Sequence, residues 1–355
     1  MATSTNSAWK ELRDPNKPHV ARRVLLAISV WLVSCSTVLG ADITTDPGFE
    51  AFLTYYYQNP QPTNAPQALD YFVRSPLFRT NLQTNGHMIE MVAYFFGRLA
   101  ELHPALLRDY QQAYAQTDEA GQSFLLSVFR VHHDEEVKRV LQKAAETSSA
   151  QLQDAIRSVT TRELLGRRAF VKDVADFNQL DFLWIEFQVT GDKEPIVKII
   201  DVLGWDDRLR NALDAWLAAV PDQQQQAEFL ERLRRVGITV NTQAKTIEPS
   251  SDLDCLFSAY LQASGAAGKP PDDAHEIRRM LRLTDEDLLY MATKGSAMWS
   301  LQANARQHPK ILAYCVEERN RRQDKSAVEL ALIVALASKD HQHPRHQLLS
   351  EPADL

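Results

Sequence analysis

Apolar side chains recur on a helical period along most of this chain. From Met88, the residues Met88, Met91, Val92, Phe95, Phe96, Leu99 and Leu102 fall at offsets 0, 3, 4, 7, 8, 11 and 14, one broad stripe of a 3.6-residue helix. The spacing 0, 3, 4, 7 returns in Leu180, Leu183, Trp184 and Phe187, in Ile196, Ile199, Ile200 and Leu203, and in Leu253, Leu256, Phe257 and Tyr260. Each stripe has to be covered by another helix. Only 12 of 355 residues are glycine, roughly half an average share, which disfavours phosphate-cradling loops and turn-dense β folds. The expected fold class is all-α, with stacked antiparallel helix pairs forming an irregular α-solenoid.

Pro and Gly sit at the breaks. Asn85-Gly86 opens the Met88 stripe and His103-Pro104 closes it, because Pro pushes the residue before it out of the helical region and suits the first turn of a new helix. Thr190-Gly191-Asp192-Lys193-Glu194-Pro195 reads as a helix stop followed by a start, so the segments from Leu180 and Ile196 should form an αα-hairpin. Further helices are expected at 48–59, 66–75, 105–116, 119–130, 134–146, 150–165, 206–219, 222–235, 273–282, 284–293, 296–306, 309–322 and 326–338. One stretch differs: Ile238-Thr-Val-Asn-Thr and Lys245-Thr-Ile247 suggest a small β-hairpin near 238–247. The organisation expected is an export signal over 1–41, a helical block over 42–236, a hairpin or linker over 237–250, a second helical block over 251–338 and a disordered tail over 339–355.

Two internal similarities stand out. Leu180-Asp181-Phe182-Leu183-Trp184 with Phe187 matches Leu253-Asp254-Cys255-Leu256-Phe257 with Tyr260. Ala100-x-x-His103-Pro104-x-Leu106-Leu107 matches Ala305-x-x-His308-Pro309-x-Ile311-Leu312. Their unequal offsets suit irregular stacking of helix pairs, each burying its stripe against neighbours. This helix-pair style, with Trp184, Thr190-Gly191-Asp192 and Met298-Trp299-Ser300-Leu301 running into His308-Pro309, resembles uncharacterised exported bacterial proteins with tetratricopeptide-like helical repeats. The resemblance covers about 46–338 and brings no catalytic residues with it; the 34-residue tetratricopeptide consensus itself is not met.

The N-terminal segment has the grammar of an export signal. Arg22-Arg23 precedes the apolar run Val24–Val33, and Ser34-Cys35-Ser36 follows it. This is a basic region, a short apolar region and small residues in order. Leu32-Val33-Ser34-Cys35 resembles the lipobox of bacterial lipoproteins, in which the cysteine is acylated and becomes the mature N-terminus. Val38-Leu39-Gly40 offers a competing cleavage site before Ala41, and an uncleaved anchor is the third reading. Residues 1–19 look like a mis-assigned start, with Val20 the better one. Formal net charge is −7, and the basic residues of the first 35 make the body more acidic still. An acidic body lacks the positive face that nucleic acid or anionic lipid requires. No nucleic-acid partner is expected, and membrane contact only through an N-terminal lipid or anchor.

No nucleotide-binding or hydrolase signature occurs. His275-Glu276 is not a zinc-protease motif, since Arg279 stands where the second His would be. His132 and His133 are adjacent and point about 100° apart on a helix, so they cannot converge on one ion; His341, His343 and His346 lie in the polar tail. No metal or cofactor is expected. Cys255 and Cys315 either pair in an oxidising compartment or are two separate buried thiols. The candidate binding residues are His103, Asp181, Trp184, Asp254, Trp299 and His308, with Cys35 the candidate lipidation site. Asp181 and Asp254 could form a polar pair across a groove or complement helix dipoles; His103 and His308 suit a helix C-terminus; Trp184 and Trp299 suit core. The functional expectation is a non-catalytic binding or scaffold protein of the bacterial cell envelope, with a protein partner. The alternatives are a helical hydrolase or lyase using carboxylates and histidines from several helices, and a toxin-neutralising or secretion accessory protein.

Overall fold

The computed structural model describes residues 42–131, 135–146, 149–161, 174–205, 208–235, 240–241, 246–247 and 272–322. Helix dominates them, so the all-α class stands. In order the helices are α1 (Asp46–Tyr55), α2 (Ala65–Arg74), α3 (Pro76–Thr84), α4 (Gly86–Leu102), α5 (Leu106–Gln116), α6 (Glu119–Phe129), α7 (Glu135–Ala145), α8 (Ala150–Thr161), α9 (Phe177–Thr190), α10 (Lys193–Leu203), α11 (Arg208–Ala219), α12 (Gln223–Arg235), α13 (Asp272–Met280), α14 (Asp285–Gln307) and α15 (Pro309–Arg321). Val240–Asn241 pairs antiparallel with Thr246–Ile247, Val240 opposite Ile247; residues 242–245 lie outside the described residues. No helix among those described is long and apolar enough to cross a membrane. The expected export signal with Cys35, the helix expected at 326–338, Asp254, Cys255, the adjacent His132 and His133 and the histidine-bearing tail all lie outside them.

Local chemistry sets the helix starts. Thr45, Ser75, Asn85 and Asp118 each accept a backbone N–H from inside the first turn of α1, α3, α4 and α6. Thr284 and Asp287 form a reciprocal capping box at α14. Such caps contribute about 1 kcal/mol each. Three expectations need correction. Helix α3 was not expected, although Ser75-Pro76 carries a cap followed by a first-turn Pro. The helix holding Leu180 begins three residues earlier, at Phe177. The separate helices at 284–293 and 296–306 are one continuous α14, because an internal Gly weakens a helix by only about 1 kcal/mol and packing overrides it.

The described residues divide into two compact units, those within 42–174 and 178–198 in one and those within 175–177 and 199–322 in the other. In the first, α4 packs on α6 and α6 on α8, while α2 packs on α5 and α5 on α7; α2–α4, α5–α6 and α7–α8 also touch. Its core is aromatic: Phe49 stacks on Phe72 at 5.0 Å, and Phe72 meets Phe78 and Phe124. Helix α4 approaches the C-terminal end of α6 closely at Gly97. A Cβ on Gly97 would stand 2.5 Å from Val131 Cβ and 2.7 Å from the Val128 carbonyl oxygen. Gly97→Ala should therefore destabilise by about 2 kcal/mol even after the roughly 1 kcal/mol that Ala gains in helix propensity. Chemical denaturation checks this, and an unchanged or raised midpoint would show that α4 and α6 can part at no cost.

In the second unit, Leu209 and Leu213 of α11, Phe229 and Leu233 of α12, Ile277 of α13 and Leu288 of α14 share one core. Helix α13 ends in a Schellman turn, with Leu283 N–H donating to the Arg278 carbonyl at 3.0 Å and Arg282 N–H to that of Arg279 at 3.2 Å. The left-handed position is held by Arg282, at φ 55°, where a side chain costs roughly 1–2 kcal/mol. After allowing for the greater unfolded-state freedom of Gly, Arg282→Gly should stabilise by about 0.5–1 kcal/mol, read as a higher urea midpoint.

Candidate functional site

The most polar interior lies between α4 and α9. Helix α9 is buried without interruption from Phe182 to Val189, so a charge placed there has to be met by a partner. Glu186 is that charge, with 0% of its surface exposed, and Arg98 of α4 is 3% exposed. Arg98 Nε and Nη2 donate to Glu186 Oε2 and Oε1, both at 2.8 Å, and the Tyr94 hydroxyl donates to Oε2 at 2.9 Å. The remaining Arg98 amino group donates to Glu101. Burial would lower the Arg98 pKa, but the Glu186 hydrogen bonds and the charges of Glu186 and Glu101 more than offset it and leave it raised. This forked geometry is the strong form of a carboxylate–guanidinium contact.

A second polar contact lies nearer the start of both helices. His87 Nε2 sits 2.8 Å from Asp181 Oδ2, with both side chains about a quarter exposed. The carboxylate oxygen accepts, so Nε2 carries the proton. Phe182 fills the space between the two contacts, edge-on to His87 at 5.7 Å and to Tyr94 at 5.4 Å. Partners rise together along both helices, 87 with 181 and then 94 and 98 with 186, so α4 and α9 run in the same direction. Asp181 stands in the second turn of α9, and its role here is the His87 contact, not the dipole of the first turn. An imidazole held by a carboxylate recurs as the base-and-orienter pair of nucleophilic sites and also as a structural contact between helices. Glu186, accepting three hydrogen bonds from two cationic or phenolic donors, is by contrast a structural anchor.

No family model, curated protein or solved structure matches the chain.

Trp184, on the same helix, is 7% exposed, and its indole N–H meets no hydrogen-bond partner; nor does the Gln188 carbonyl oxygen one turn on. His103 and His308 occupy equivalent corners. Each ends one helix and precedes a Pro, with φ, ψ of −132°, 76° and −123°, 97°. Each donates its N–H to the carbonyl four residues back, at 2.8 and 2.9 Å, and accepts from the N–H three residues on at 2.9 Å. Ala100 and Ala305 are both buried behind them. The corners differ in one respect: His103 is half-buried, whereas His308 is 1% exposed and burial lowers its pKa to about 4. Trp299 is half-buried in the middle of α14. Cys315 is a free buried thiol, pushed up to about 12 by burial and by the Glu318 charge, which makes it unreactive.

The second unit holds a cluster that the sequence did not single out. Trp205 stacks on Tyr290 at 4.5 Å, and the Arg208 guanidinium lies 4.0 Å from the centre of the same ring. Arg208 also donates to Asp287 at 2.7 Å, and Lys294 donates to the Trp205 carbonyl at 2.6 Å. Hydrogen bonding to Asp287 raises the Arg208 pKa against partial desolvation. This cluster ties the entry of α11 to the first turns of α14. Among the described residues, no three His, Cys, Asp or Glu side chains converge on a point that could hold a metal ion.

Proposed function

We propose that the protein is a non-catalytic binding or scaffold module of the bacterial cell envelope, tethered there through Cys35 and acting on a protein partner. The observation that carries this reading is the two-row packing of α2, α5 and α7 beside α4, α6 and α8. Three stacked helix pairs of this kind support an irregular solenoid resembling tetratricopeptide-like repeats, in which outer helix faces supply an extended binding surface. The interior charges support the same reading. Glu186 and Arg98 are turned onto each other and onto Tyr94, a use of charge that fixes helix register and leaves none of these groups to a substrate. The acidic body fits a protein or peptide partner and opposes nucleic acid.

The test is an envelope pull-down with the tagged mature chain. A protein recovered at about one copy per chain, and lost when exposed residues on one row of helices are replaced, is the expected result. Recovery of the chain alone, together with turnover of a small-molecule substrate that His87→Ala abolishes, would favour a hydrolase or lyase instead.

A further inference from the structure

We draw no further inference here: the strongest candidate, the unmet indole N–H of Trp184 and side-chain carbonyl of Gln188 one turn apart on α9, is enclosed by protein, and nothing in the structure shows what would reach it.

Discussion

Arg98→Met should destabilise the fold by about 3–5 kcal/mol, because it leaves the Glu186 carboxylate buried with neither guanidinium nor solvent to meet it. Glu186→Leu should cost a similar amount, since it leaves the buried Arg98 guanidinium with Glu101 on one amino group and without its forked partner, and removes the Glu186 acceptor of the Tyr94 hydroxyl. The double variant should lose much less than the sum of the two. Desolvating the pair offsets most of its attraction, and apolar replacements of similar volume pack without that penalty. A double-mutant cycle by chemical denaturation measures the coupling. Additive losses would mean that the two residues act independently, and the seam between α4 and α9 would then not be held by their pairing.

Acid should weaken the protein through His308. Burial holds this imidazole at about 4 where an unfolded chain has 6.5, so the folded state prefers it neutral. The imidazole's contribution to stability is full above pH 6.5, is lost as pH falls and the unfolded chain takes up a proton, and falls no further below about 4. The loss across that window is roughly 3 kcal/mol. Urea midpoints at several pH values should show it, and His308→Gln should remove the decline between pH 6.5 and 4 whatever it does to stability at pH 7. A decline of equal depth in that variant would assign the acid sensitivity to other groups.

Most helices were legible because a period of 3–4 apolar residues is a local signal, and caps such as Asn85 and Asp118 are local too. The paired corners at His103 and His308 were legible for the same reason: the five-residue pattern Ala-x-x-His-Pro marks the end of one helix and the approach to the next. What the sequence could not show was which distant charges meet. Arg98 and Glu186 are 88 residues apart, and no spacing rule links them. A trace was nevertheless present, since Glu186 is the one carboxylate in the apolar run Phe182–Val189, where a lone charge demands a partner. Tyr94 and Arg98, four residues apart on α4, share the face that supplies it. Gly295 misled in the opposite direction, because a residue that often ends helices is tolerated inside one when its neighbours pack. His87 carries no comparable signal, because it lies at the helix start, where no apolar stripe marks which way it faces.

The proposed partner and place of action both depend on export, and the mature N-terminus reports on it directly. Intact-mass measurement of the chain recovered from the membrane fraction of a bacterial producer should give a protein that begins at an acylated Cys35, with Cys35→Ala either released to the soluble fraction or left uncut. A chain that retains residues 1–40 unmodified and partitions with the cytosol would contradict an envelope role.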